Sequence, residues 1–372
     1  MYLKILISLF LITFNAFSQN RHLNTNPISL DAHAHFFSQE PAVLTSYLKG
    51  MEKYNIQHAF ALSLGYQAYL LNIKPNDMST VEHDKIIHDF VVKENNYTAA
   101  LVKRYPRKFN GFCSVPWKWK HTFTEYSRCI KMGLKGIKLH IWDWSVLKPG
   151  DDSLKGLPVN LEDRDDLLHF RSIIEFADKN HQVVGMHSNQ MSDREIFNAL
   201  FTVASNRRNL KFIFLHGLGL TSSSIVTYMN TIGYWETFAI DLSGVVYLEL
   251  SYNPFLINKR PSNFKKNWIK NLKTYSDLPH LLFGSDSYSS NTNGPPAIEL
   301  NLKAYKKILT AREEKLVFEK NGSALVGSLE GINPSRRVSL QTLKMSSKKT
   351  KAREKKFLKS LTKYYRHFKK RN

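Results

Sequence analysis

The chain has 372 residues, of which 42% are hydrophobic and 12% aromatic, so it can bury a substantial core in one large α/β barrel or two ordinary domains. Its formal net charge of +22 is uneven, because residues 335–372 hold 15 lysines and arginines against one acidic residue and supply +14 of it. This distribution excludes a uniformly basic protein. With only Cys113 and Cys129, we expect neither disulfides that organise the fold nor a Cys₂His₂ structural zinc site.

The first 18 residues have the features of an export signal. Lys4 precedes an apolar run over residues 5–14, and small residues stand before the expected cleavage point after Ser18. The run is about ten residues long, whereas a helix that spans a bilayer needs ~20. We therefore expect an exported protein, periplasmic or secreted, with an uncleaved N-terminal anchor as the alternative.

Eight short runs of apolar or β-branched residues recur along residues 19–334, and we predict that each is a strand. Helical periodicity lies between several of them, at 124–132, 164–180 and 194–205. Alternating strands and helices indicate a parallel sheet, and eight such units in about 260 residues predict an α/β fold of the (β/α)₈ TIM-barrel type. An open doubly wound sheet is the alternative. The predicted strands are 28–36, 59–65, 109–116, 136–143, 182–189, 211–218, 245–252 and 280–288.

Polar side chains stand at the carboxyl ends of five of these strands, where a TIM barrel collects its active site. Side chains two apart on a strand share a face, so the two histidines of the first strand can both point into the barrel mouth. Imidazole and carboxylate groups suit Zn²⁺ and its transition-metal neighbours, so the pattern predicts a divalent metal site. In strand order the residues are His33, His35, Lys138, His140, His187, His216 and Asp286.

Seven sequence pieces resemble the amidohydrolase superfamily, and within it the amidohydrolase-related branch that includes aminocarboxymuconate-semialdehyde decarboxylase. They run in the family's order from about residue 28 to residue 331 and so cover nearly all of the predicted barrel. The pieces are "DAHAHF", "ALVKRYPRKFNGFCSVP", "MGLKGIKLH", "VVGMHSN", "FIFLHGLG", "LLFGSDS" and "EEKLVFEKNGSALVGSLEG".

The resemblance implies roles for these residues. His33, His35, His187 and Asp286 would be metal ligands, Asp286 would also be the general base, and His216 would orient the attacking water or polarise the substrate. A bound divalent ion lowers the pKa of its water to ~7, which makes hydroxide available near neutral pH. We expect one ion per chain, Zn²⁺ first and Mn²⁺ as the alternative.

The fourth strand leaves two interpretations open. Lys138, by resemblance to binuclear members, is a candidate for a carboxylated bridge between two metal ions; alternatively Lys138 or His140 contacts the substrate, which is the interpretation we favour. Asp31 either orients a ligand imidazole or caps the first strand. Residues 143–163 follow the fourth strand and either shape the substrate site or form a surface excursion.

The basic tail, residues 335–372, contains its own amphipathic pattern. Over residues 353–371 the apolar positions follow helical spacing, with lysines and arginines on the other face. Such a helix binds an anionic membrane surface or a polyanion, or it docks its apolar face on the barrel. Nucleic acid is a weaker alternative, because the sequence has no recognisable binding module.

The sequence thus predicts an exported metal-dependent hydrolase in which metal-activated water attacks a carbonyl-type centre, such as an amide, ester or lactone, of a small molecule. The alternative reaction is a non-oxidative decarboxylation with nearly the same ligands. A third interpretation is a non-catalytic binding protein on an inherited barrel.

Overall fold

The computed structural model describes most of the predicted barrel. The predicted export signal, residues 144–156 of the loop after the fourth strand and the basic tail lie outside the described residues. The described residues are 27–38, 41–63, 80–140, 142–143, 157–188, 191–192, 195–196, 198–199, 202–203, 210–216, 246–249, 251, 281–287 and 294–329.

Eight parallel strands form one sheet, and its order follows the chain. The sheet closes on itself, since Ala32 N donates to Phe283 O at 2.9 Å and a parallel bridge joins Ala34 to Ser287. All eight predicted strands are present, so the (β/α)₈ prediction is confirmed. The barrel strands are β1 (Ile28–His35), β2 (Ile56–Leu62), β3 (Phe109–Ser114), β4 (Gly136–Leu139), β7 (Val183–His187), β8 (Lys211–Leu215), β9 (Val246–Glu249) and β10 (Leu281–Leu282); β5 (Trp142–Asp143) and β6 (Leu157–Pro158) form a separate antiparallel pair.

Helices separate the strands, as the alternating pattern predicts. The helix predicted at 164–180 is observed over Arg164–Lys179, where the Asp163 side chain caps it by accepting from Asp165 N and Asp166 N. None of the helices in the described part of the chain is long and apolar enough to cross a membrane. The helices are α1 (Pro41–Lys53), α2 (Thr80–Arg104), α3 (Thr122–Lys131), α4 (Arg164–Lys179), α5 (Gly294–Lys306), α6 (Ala311–Glu314) and α7 (Gly322–Leu329), with a π-helical turn (Lys315–Asn321) between α6 and α7.

The last helices cover the end of the barrel where the strands begin. Leu325 and Val326 of α7 join the apolar cluster of the barrel interior, which includes Leu30 of β1. Ser29 Oγ donates to Phe318 O at 2.9 Å, which attaches the π-helical turn to β1. The amino end of β1 is thereby buried, and the residues predicted for the site lie toward the carboxyl ends of the strands.

A disulfide between Cys113 and Cys129 joins β3 to α3, the helix that follows it. Both residues are about 1% exposed. The expectation that disulfides take no part in organising the fold is therefore wrong for this strand and helix. Cys113 faces outward from β3, and the outer face of a barrel strand is where its own helix packs.

Candidate metal centre

An irregularity in β1 directs the two histidines of "DAHAHF" into the barrel mouth. The pairing of β1 with β2 shifts register between Asp31 and Ala34, so the strict alternation of side chains is broken there. Ala34 packs among the outer apolar side chains, while His33 Nε2 and His35 Nε2 lie 3.0 Å apart inside. Both imidazoles therefore point to the same place, as the sequence predicts.

The hydrogen-bond partners of the Nδ1 atoms of these rings determine which ring nitrogen carries the proton. His35 Nδ1 lies 3.0 Å from Leu62 O, and His33 Nδ1 lies 2.8 Å from Glu249 Oε2. A carbonyl or carboxylate oxygen accepts, so each Nδ1 carries the proton and each Nε2 presents a lone pair. Burial, ahead of the charge of Lys138, lowers the pKa of His33 well below its usual value, and burial likewise lowers the pKa of His35.

A carboxylate oxygen meets the same two lone pairs. Asp286 Oδ1 lies 3.3 Å from His33 Nε2 and 3.5 Å from His35 Nε2. Two imidazole nitrogens and a carboxyl oxygen thus converge within 3.5 Å of one another, an arrangement that a cation stabilises. Two imidazole nitrogens and one carboxylate oxygen are ligands that Zn²⁺ and related ions accept, so the residues present fit the predicted divalent metal.

Asp286 and His216 reach the mouth through unusual backbone conformations. Their φ angles are 49° and 60°, in the left-handed region that residues other than glycine seldom occupy. Leu215 faces the barrel interior, so an extended continuation of β8 would turn His216 outward. Its ring instead lies 4.6 Å from that of His33, and His216 Nε2 is 3.9 Å from Asp286 Oδ2.

These positions make His216 a candidate metal ligand, in addition to its predicted role of orienting water or polarising the substrate. Donor atoms of His33, His216 and Asp286 all lie within 4.8 Å of one another. Burial lowers the pKa of His216 to about 3, so its ring is neutral near pH 7. Burial also raises the pKa of Asp286 well above its usual value, and the neighbouring Glu249 adds to that rise.

The remaining predicted residues line the same mouth. The ring of His187 lies 4.6 Å from that of His216 and stacks on His140 at 4.5 Å. Lys138 is only 2% exposed, and burial lowers its pKa to about 8 against the opposing charges of Asp286 and Glu249. The structure therefore brings all seven residues selected from the sequence to one end of the barrel, while their individual roles stay predictions.

Glu249 is a residue of this centre that the sequence analysis missed. It is fully buried at the end of β9, and its Oε2 accepts from His33 Nδ1 at 2.8 Å, from His216 N at 3.1 Å and from Ser251 Oγ at 3.1 Å. Its other oxygen accepts from Ser251 N. The available signal was a carboxylate within the apolar run "VVYLELSY", since a buried glutamate needs partners.

Asp31 is not bonded to a ligand imidazole, so that interpretation of it is wrong. Its Oδ1 accepts from the backbone of His33 at 3.1 Å and of Ser285 at 2.9 Å, and its Oδ2 accepts from Tyr47 Oη at 2.6 Å. It therefore fastens β1 to the segment after β10 and to α1. Burial raises the pKa of Asp31 to about 6, although these hydrogen bonds oppose the rise.

Comparison with solved structures gives relatives of the fold. The chain is similar to 2,6-dihydroxybenzoate decarboxylase from Rhizobium, with a TM-score of 0.54 and 12% identity over 81% of this chain and 98% of that one. It is also similar to a protein from Pseudomonas putida assigned as a 2-pyrone-4,6-dicarboxylic acid hydrolase, with a TM-score of 0.50 and 14% identity over 82% of this chain and 98% of that one.

A 2,6-dihydroxybenzoate decarboxylase complexed with 2,6-dihydroxybenzoate gives a TM-score of 0.54 and 11% identity over 81% of this chain and 99% of that one. No protein-family model and no curated protein matches the chain in sequence. At such identities the similarity concerns architecture. The chain has the (β/α)₈-barrel fold that these decarboxylase and hydrolase structures share.

Proposed function

We propose that this chain is a metal-dependent enzyme of the amidohydrolase-related branch and that it hydrolyses an amide, ester or lactone bond of a small molecule. The observation that carries the proposal is the convergence of His33 Nε2, His35 Nε2 and Asp286 Oδ1 at 3.0 to 3.5 Å from one another. The ordered sequence motifs and the shared barrel fold support the same family.

His33, His35 and Asp286 would hold the ion. The resemblance implies His187 as a further ligand, whereas the distances in the structure make His216 the alternative for that position. We expect one Zn²⁺ per chain, with Mn²⁺ as the alternative. When bound, the ion supplies Lewis acidity and lowers the pKa of water to ~7.

The protein's own groups would handle protons and orientation. The Asp286 side chain is 13% exposed, so it meets the open mouth and can accept a proton from water and return it to a leaving group. His216, neutral and facing Asp286, would orient that water or polarise the substrate carbonyl. Lys138 provides a positive charge in a buried mouth, which suits an anionic substrate.

Decarboxylation is the second candidate function. Lys138 and the neighbouring neutral histidines offer hydrogen-bond and charge partners to a substrate carboxylate, the group that a decarboxylase removes. The decarboxylase structures show that this barrel supports such chemistry in another protein. Release of carbon dioxide separates the two reactions.

The first experiment is elemental analysis of the purified chain by inductively coupled plasma mass spectrometry. We expect about one transition metal per chain in the wild type and a large loss in Asp286→Asn and in a His33→Ala, His35→Ala double variant. His88→Ala is the matched control, because His88 lies on α2 with its side chain 52% exposed. The metal-loaded wild type is then assayed on lactones, esters, amides and carboxylated aromatic acids, with detection of carbon dioxide.

Absence of metal from the wild type, even after incubation with zinc and manganese, would contradict the proposal and favour the binding-protein interpretation. Two ions per chain would contradict the single-ion site and assign Lys138 a bridging role. Carbon dioxide as the product would replace hydrolysis by decarboxylation.

A further inference from the structure

We propose that Glu249 is a positioning residue that fixes the orientation and the protonated nitrogen of His33, and through Ser251 those of His216. The inference rests on the proposed metal centre for its functional meaning. Its structural content, however, concerns hydrogen bonds that exist whether or not an ion is bound.

The hydrogen bonds around Glu249 require a carboxylate. Backbone N–H groups of His216 and Ser251 donate to its two different oxygens, so neither oxygen position can be replaced by an NH₂ group without opposing a donor. An amide at this position would face either Ser251 N–H or the pair of His33 Nδ1 and His216 N–H. Only an ionised glutamate therefore satisfies every partner at once.

The bond to His33 determines which ring nitrogen faces the mouth with a lone pair. With Nδ1 donating to Glu249 at 2.8 Å, Nε2 is left as an acceptor beside His35 and Asp286. Were Nδ1 to lose this acceptor, the proton could move to Nε2 and point at the position where a cation would bind. Partners behind a ligand imidazole set its tautomer and its affinity for metal in this way.

Ser251 extends the same control to His216. Its Oγ lies 3.1 Å from Glu249 Oε2 and 3.2 Å from His216 Nδ1. A hydroxyl has one hydrogen, so when Ser251 donates to Glu249 it accepts from His216 Nδ1–H. His216 Nε2 then presents a lone pair toward the mouth, on the side of Asp286.

Space for the carboxylate comes from the segment that follows β10, the strand paired with β9. A Cβ added at Gly284 would lie 2.0 Å from Glu249 Oε1. Glu249 is thus enclosed by β9, by the end of β8 and by the segment after β10. In this position the carboxylate is bonded directly to His33 and, through Ser251, to His216.

The test compares Glu249→Gln and Glu249→Asp with Glu94→Gln. Glu94 is a matched control because it is also fully buried and takes two hydrogen bonds, both from Ser38, away from the convergent nitrogens. The tautomers are read from histidine ring ¹⁵N shifts of the metal-free protein, with His33 assigned from a His33→Asn sample. Zinc affinity is measured separately by competition with a chelator.

We expect His33 to be protonated at Nδ1 in the wild type and in Glu94→Gln, and to become a tautomer mixture in Glu249→Gln. Zinc affinity should fall about 10- to 100-fold in Glu249→Gln relative to Glu94→Gln. Glu249→Asp keeps a carboxylate and should recover part of both signals. If Glu249→Gln does not fold, Ser251→Ala is the test variant, because it removes the hydroxyl that links Glu249 to His216.

An unchanged His33 tautomer together with zinc affinity within twofold of Glu94→Gln would overturn the role of Glu249. If Glu249→Gln does not fold, an unchanged His216 tautomer in Ser251→Ala would overturn the proposed link from Glu249 to His216. Failure of the wild type to bind zinc would instead contradict the proposed function. The ring tautomers of the metal-free protein would still test the role of Glu249.

Discussion

Single residues of the centre carry backbone strain that the surrounding structure holds in place. His216 and Asp286 both have positive φ, and a non-glycine residue in this region costs on the order of 1–3 kcal/mol. Asp286 N donates to His33 O at 2.7 Å, and His216 N donates to the Glu249 carboxylate at 3.1 Å. The backbone N–H groups of the two strained residues are thus bonded to His33 and Glu249, two other residues of the centre. These bonds keep the side chains of His216 and Asp286 in the mouth.

Gly284 gives a prediction at this scale. Gly284→Ala should lower the free energy of unfolding by about 1–3 kcal/mol, because its methyl group would overlap the buried Glu249 carboxylate. The same variant should bind zinc more weakly, since Glu249 must move away from His33. Urea denaturation and chelator competition measure the two effects. Gly327→Ala in α7, where an added Cβ meets nothing within 4 Å, should be neutral or slightly stabilising; equal behaviour of the two variants would refute the overlap.

At the scale of elements, α1 and α5 pack together beside the seam where β1 meets the segment after β10. Tyr54, which follows α1, donates its hydroxyl to Glu299 of α5 at 2.6 Å, and Lys53 lies 3.6 Å from the same carboxylate. Lys303, one turn along α5, also pairs with Glu299. Lys303 first, and then Tyr54, lowers the pKa of Glu299 to about 2.

This ion pair should make stability depend on pH in acid. The folded pKa lies below the unfolded value of 4.5, so the stabilisation is fully present above pH 4.5 and is lost as the pH falls toward 2. The unfolding free energy of the wild type should therefore exceed that of Glu299→Gln by a constant amount between pH 5 and 7, and the gap should shrink below pH 4. Urea titrations from pH 7 to pH 3 measure it, with Glu52→Gln on the exposed side of α1 as control. A gap that is the same at pH 3 and pH 7 would rule out the ionic contribution.

At the scale of the whole molecule, the barrel was predictable because its strands are apolar runs placed between helical segments. The seven mouth residues were predictable because they follow those runs at the carboxyl ends. The role of Glu249 was not, since it depends on the end of β9 lying close to His33 once the sheet closes between β10 and β1. The Cys113–Cys129 bond likewise depends on which face of β3 and of α3 each cysteine occupies, and two cysteines in a sequence do not specify that.

The basic tail gives the prediction for the whole chain. Deleting residues 335–372 removes +14 of the +22 net charge while leaving every described element, the last of which ends at Leu329. We expect zinc content and the thermal unfolding temperature to be unchanged, and sedimentation with phosphatidylserine vesicles to be lost. Salt screens the attraction between exposed charges, and the Debye length falls roughly threefold between about 50 and about 500 mM salt. Retention of the full chain on the vesicles should therefore weaken over this range. Loss of zinc on truncation would place the tail in the barrel instead.

Closure of the barrel also sets the order in which the centre can come into being. His33 belongs to the first strand, whereas Asp286 follows the last strand. The backbone N–H of Asp286 donates directly to the backbone oxygen of His33. A growing chain therefore carries its paired histidines long before the carboxylate that faces them has been synthesised. The complete centre appears only when the two ends of the sheet meet, so any event that opens this seam would separate His33 from Asp286 and dismantle the proposed metal site in the same step.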